Sequence, residues 1–193
     1  SDSVKVELLS LQRKNPDQGQ LALLLTNVYL HQKNFDSTIV QLRLAAADHE
    51  VLPSMVAQVT MKAFEQVNNP EKWEQANQLA RQWLTIYPNE PRFLAIQGDL
   101  YVGASKLEEG QRFYLLAARM GEAKYEVWAR IIQLDFEMNA IDSAVVHSKE
   151  ALRYFPGQGF LNFQLGFAVY LTGDTSQSLK FLEIAAGLIK PSD

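Results

Sequence analysis

Apolar residues along the 193-residue chain recur at helical spacing, in pairs of stripes separated by short polar turns. From residue 19, Leu21, Leu24, Leu25 and Val28 fall on one helical face. The polar turn Gln32-Lys33-Asn34 follows, and then Ile39, Leu42 and Ala45-Ala46 make a second stripe. Asp36 and Ser37 stand where an N-cap accepts the free amides of a helix start. This spacing predicts two amphipathic helices joined by a tight turn. The pattern returns to the end of the chain, where Gly173-Asp174 turns ahead of Leu179, Leu182 and Ala186. The longest apolar run, Leu21 to Leu25, is far short of a membrane span.

Whole phrases recur as well. Trp83-Leu84-Thr85-Ile86-Tyr87-Pro88 is echoed by Ala151-Leu152-Arg153-Tyr154-Phe155-Pro156, and the two prolines are 68 residues apart, twice 34. Phe35-Asp36-Ser37-Thr38 is echoed by Ile141-Asp142-Ser143-Ala144, and Asn27-Val28-Tyr29-Leu30 by Ala168-Val169-Tyr170-Leu171. Registered on these anchors, the chain divides into stretches 19–53, 54–90, 91–124, 125–158 and 159–192, each predicted to be a helix hairpin. The second stretch absorbs its extra residues at the turn cluster Asn68-Asn69-Pro70. Residues 1–18 read as an orphan helix, the second half of a preceding repeat. At the other end, Leu179, Leu182, Ile184 and Leu188 make a helix expected to stop at Pro191, with no polar capping helix after it. Solenoid ends are ordinarily polar, so further chain or self-association through the uncapped ends is expected.

The array resembles the tetratricopeptide repeat (TPR) family. The resemblance rests on the 34-residue phase and on positions that stay small, above all Thr38, Ala76, Gly110, Ala144 and Ser178. Trp128 and the pair Leu165-Gly166 also fit the family's pattern. Met61 and Ile132 depart from it where a small residue is usual, Trp83 where Ala is usual, and Asp135 where an aromatic is usual. The resemblance implies an all-α, right-handed α-α superhelix, a solenoid of antiparallel helix hairpins. It also implies a concave groove lined by the first helix of each repeat. Its ligand-facing positions fall on Leu23, Asn27 and Leu30, on Gln58, Lys62 and Glu65, on Arg92, Ala95, Asp99 and Val102, on Glu126, Ala129, Gln133 and Phe136, and on Phe160, Phe163, Phe167 and Tyr170. Arg130 and Gln133 are neighbouring polar groups suited to a bound backbone or carboxylate. The family's clamp for a partner's C-terminal carboxylate is matched by Asn27 and Arg92 but not by Leu23, Lys62 and Ile96, which disfavours it. The layout also resembles TPR regions of exported bacterial proteins.

Composition adds mainly exclusions. Net charge is −4 from 18 basic and 22 acidic residues, a poor footprint for phosphate binding and hence for nucleic acid, helical-repeat RNA readers included. With no cysteine, disulfides, thiolate metal sites and cysteine nucleophiles drop out. His31, His49 and His147 lack metal-ligand spacing and read as solvated or partly packed. Gly157-Gln158-Gly159 follows a helix end instead of a strand, and so reads as a turn between repeats. Glu108-Glu109 suits a helix start. Phe160, Phe163, Phe167 and Tyr170 share one face of a helix whose other side carries Leu161, Leu165 and Ala168. A helix apolar all round predicts cover on every side, by a gripped peptide or by further chain. For Asp135, a buried polar pair with a neighbouring repeat is the favoured reading. The function expected is a non-catalytic scaffold for a peptide or partner domain, with no metal and no cofactor. A regulatory or assembly segment of a longer protein is the alternative. The sequence fixes no compartment, cytoplasmic or exported.

Overall fold

The computed structural model describes residues 2–120 and 124–189, and among them every regular element is a helix. The predicted stop at Pro191 lies outside the described residues. The chain divides into two compact units, Ser1–Lys106 and Leu107–Asp193. The first holds α1 (Asp2–Lys14), α2 (Gly19–His31), α3 (Phe35–Ala47), α4 (Pro53–Phe64), α5 (Pro70–Ile86) and α6 (Pro91–Gly103). The second holds α7 (Leu107–Arg119), α8 (Tyr125–Glu137), α9 (Ile141–Tyr154), α10 (Gly159–Leu171) and α11 (Thr175–Leu188).

Local chemistry sets the helix ends. Pro53, Pro70 and Pro91 occupy the first turns of α4, α5 and α6, where a missing N–H costs nothing. Asn34 caps α3 by accepting from the Ser37 amide at 3.1 Å, two residues ahead of the predicted Asp36. Asp36 instead lies in the first turn, where the helix dipole favours a carboxylate. Asn69 and Asp174 cap α5 and α11 in the same way, each at 2.9 Å. Three turns between successive helices place a non-glycine residue in the left-handed region: Lys33, Ser105 and Asn139. Behind each, a pair of crossed amide–carbonyl bonds closes the helix end, such as Asn139 to Phe136 and Ala140 to Asp135. Gly173 takes the equivalent place after α10, so that 105, 139 and 173 stand 34 residues apart.

In the first unit α2, α4 and α6 stand side by side in one layer, with α3 and α5 side by side against them. Their core joins Phe35, Ile39 and Leu42 to Val56, Leu79, Trp83, Phe93 and Ile96. Each large apolar side chain so buried contributes about 1.5–3 kcal/mol. Trp83 is accommodated because its indole N–H donates to the Thr60 hydroxyl at 3.1 Å and its rings lie against Tyr87 and Phe93. The buried side of α2 is rotated from the prediction. Leu24 is exposed, while Leu23 is buried, because α1, α3 and α4 all pack on this helix. The α1 helix is tied down by Lys5 and Gln12, which bond Gln32 and Gln41.

In the second unit α7 to α11 pack in sequence, each on the next. Tyr114, Trp128, Ile131, Leu134, Leu161 and Leu165 are among its largest buried groups, and Ile132 is fully buried where a small residue is the family norm. Met61, the other such departure, is exposed. Gly166 permits a close approach of α10 and α11. A Cβ there would stand 2.9 Å from two carbons of Leu182, and the Ser178 hydroxyl donates to its carbonyl at 2.7 Å. That contact turns Ser178 and Ala185 inward and leaves Leu179 and Ala186 outside, one residue off the predicted stripe.

Candidate functional site

The most unusual surface belongs to α10. Its inner side, Leu161, Leu165, Ala168 and Val169, is buried. Its outer side is a row of rings, Phe160, Phe163, Phe167 and Tyr170, exposed by 49%, 44%, 42% and 55%. Phe160 stacks on Phe163, and Phe163 on Phe167, each with centroids 6.4 Å apart; the second pair is nearly parallel, at 4°. Phe136 of α8 extends the row, tilted at 5.4 Å from Phe167. Beside it, Arg130 pairs with Glu137 at 3.1 Å, and Gln133 donates to the same carboxylate at 2.9 Å. Both predicted polar groups are thus held by one carboxylate, which an incoming acid must displace.

Asp135 points into the unit with no exposed surface. It accepts from Gln111 at 2.8 Å and meets His147 Nδ1 at 2.7 Å. Asp135 and His147 lie twelve residues apart on the two helices of one hairpin. Spacing within a single helix does not reveal this pair, because the hairpin brings it together. Among the described residues, no three metal-ligating side chains gather anywhere. Among the same residues, no helix is long and apolar enough to cross a membrane.

No known family profile matches the sequence, and no curated protein is measurably similar to it. Solved structures do resemble it. A crystal structure of MamA superposes with a TM-score of 0.63 over 90% of this chain and 92% of that one, at 10% identity. A MamA AMB-1 structure gives 0.61 over 91% and 94%, at 15% identity. YrrB, described as a TPR protein with an unusual peptide-binding site, gives 0.61 over 94% and 91%, at 13% identity. The chain has the tetratricopeptide-repeat fold. These likenesses, at such low identity, speak to architecture.

In the TPR fold the four candidates of the first unit stand on α2, α4 and α6. Asn27 turns back, its amide donating to the Leu23 carbonyl at 3.0 Å. Arg92 pairs with Glu90 of its own helix cap at 3.2 Å. Lys62 and Asp99 are exposed on α4 and α6. Leu23 and Ile96, which stand where a TPR carboxylate clamp needs cations, are buried. The sequence reading missed a cavity in this unit, between the ends of α4 and α6 and the start of α5. Its wall is Trp73, a residue that no repeat position singled out.

Proposed function

We propose that this chain is a non-catalytic protein-interaction scaffold that grips a partner polypeptide on the aromatic row of α10. The observation that carries this reading is the row itself: four rings on one helix, half exposed, three of them aligned by mutual stacking. Contiguous apolar surface of this kind is costly in water and marks interaction sites. Its pitch suits an extended chain. Alternate side chains of a strand lie about 6.6–6.8 Å apart, close to the 6.4 Å between successive rings. An extended partner with apolar residues at every second position would seat them in register. Phe163 and Phe167 are the main contacts, Phe136, Phe160 and Tyr170 the flanks, and Arg130 and Gln133 the polar border. The carboxylates Glu126 and Glu137 on the neighbouring helix disfavour a phosphate backbone. The peptide-binding site described for YrrB is consistent with this use of the fold. Affinity capture from source-cell extract, with the parent chain beside a Phe163→Ser/Phe167→Ser variant, tests the reading. Proteins held by the parent and lost by the variant support it; identical captures refute it.

A further inference from the structure

The seam between α8 and the aromatic row holds a buried acceptor that no described part of the chain uses. Gln164 lies one helical turn from Phe160 and one turn from Phe167, on the same side of α10 as both. That side meets α8. The Phe167 ring centre is 5.4 Å from that of Phe136, and the Gln164 amide donates to the Ala129 carbonyl at 3.5 Å. The second contact stands at the outer limit of a hydrogen bond. Gln164 is 5% exposed, and no donor among the described residues meets its Oε1. A buried acceptor left unmet costs the folded chain free energy, which a bound donor returns. The amide ends on a soft torsion and is held by one long contact, so turning Oε1 toward the row strains little.

We propose that Gln164 positions the partner segment by accepting one of its backbone N–H groups. This rests on the row being a polypeptide site, and adds the residue that sets register there. An extended chain on the row turns its N–H groups sideways, and one edge of it faces α8. Phenylalanine rings form no directional bond. On the rings alone, a chain with apolar residues at every second position could slide by two residues and seat again. One acceptor at a fixed place in the seam selects a single register.

The test uses the whole chain and a fluorescein-labelled peptide, Gly-Ser-Val-Ser-Val-Ser-Val-Ser-Gly-amide, read by fluorescence anisotropy. A set of analogues carries one N-methyl group each, moved amide by amide from the first serine to the last. The unmodified peptide should bind saturably and lose binding to Phe163→Ser/Phe167→Ser. One analogue should bind the parent chain at least about fivefold more weakly than the rest, since its N–H no longer reaches Oε1. Gln164→Met keeps the side chain's length and drops the acceptor. It should weaken the unmodified peptide by a similar factor and bind that analogue and the unmodified peptide alike. Should Gln164→Met fail to fold, as judged by circular dichroism, Gln164→Leu carries the same comparison. No saturable binding, or binding that survives Phe163→Ser/Phe167→Ser, overturns the row as a site and this assignment with it. Binding that needs the two phenylalanines overturns the assignment alone if N-methylation costs the same at every position, or if the position-specific loss persists without Gln164.

Discussion

Truncating either member of the Asp135–His147 pair should destabilise the second unit, by unequal amounts. Asp135 has zero exposure, while the His147 side chain keeps 13%. In His147→Ala the carboxylate stays buried on one remaining donor, the Gln111 amide at 2.8 Å. Leaving a buried carboxylate one hydrogen-bond partner short costs more than the about 1–3 kcal/mol of a neutral polar group. In Asp135→Ala the imidazole still reaches water, and Gln111 still donates to the Ile131 carbonyl at 3.0 Å. That loss is the smaller cost of an unsatisfied polar group, about 1–3 kcal/mol. The two costs should therefore be unequal, with the histidine truncation the worse. The double variant should be less destabilised than the sum of the singles, by about 0.5–3 kcal/mol of coupling. Urea denaturation followed by Trp128 emission reads the second unit, because Trp128 lies buried in α8 and both other tryptophans lie in the first unit. A His147→Ala loss under about 1 kcal/mol, or strict additivity, would refute the reasoning.

Three further outcomes follow from the geometry. Gly166→Trp must push Leu182 away and should splay α10 from α11, lowering stability by at least about 3 kcal/mol while the Trp73 and Trp83 signals of the first unit hold; one cooperative collapse of all signals would contradict this. Ser105→Gly and Asn139→Gly relieve left-handed backbone and should each raise stability by up to about 1 kcal/mol in thermal melts. Acid should destabilise the chain. Hydrogen bonds from Arg119 hold the Glu150 pKa below its ordinary 4.5, and the Glu50 and Gly19 amides hold Asp48 below 3.8. Both groups bind protons more weakly when folded, so their stabilisation is present above those ordinary values and is lost as pH falls through the folded ones; urea midpoints between about pH 5 and 2 measure it.

The helical architecture was legible because its signals are local and repeated: periodic apolar stripes, small crossing residues such as Ala144 and Ser178, and the 34-residue phase. The rotation of each helix was less so. Leu24 and Leu179 sit on apolar stripes yet face water, because a helix in an array is buried by several neighbours and the sequence does not say which sides they take. The aromatic row was legible as a shared face of one helix at ligand-facing positions, and the stacking of its phenylalanine rings was not. The Asp135 partner was half legible, since a buried carboxylate demands one, but His147 becomes it only through the hairpin. The Trp73 cavity left no sequence signal, because its walls come from three helices.

The central claim, a partner polypeptide on the α10 row, is tested most directly by site-specific photocrosslinking in source-cell extract. A photoreactive phenylalanine analogue is placed at Phe163, and a matched control at Val146, which is exposed on α9 of the same unit. The account predicts a discrete crosslinked polypeptide at position 163 that is absent at 146. Crosslinking that is equal at both positions, or absent at 163, would contradict it.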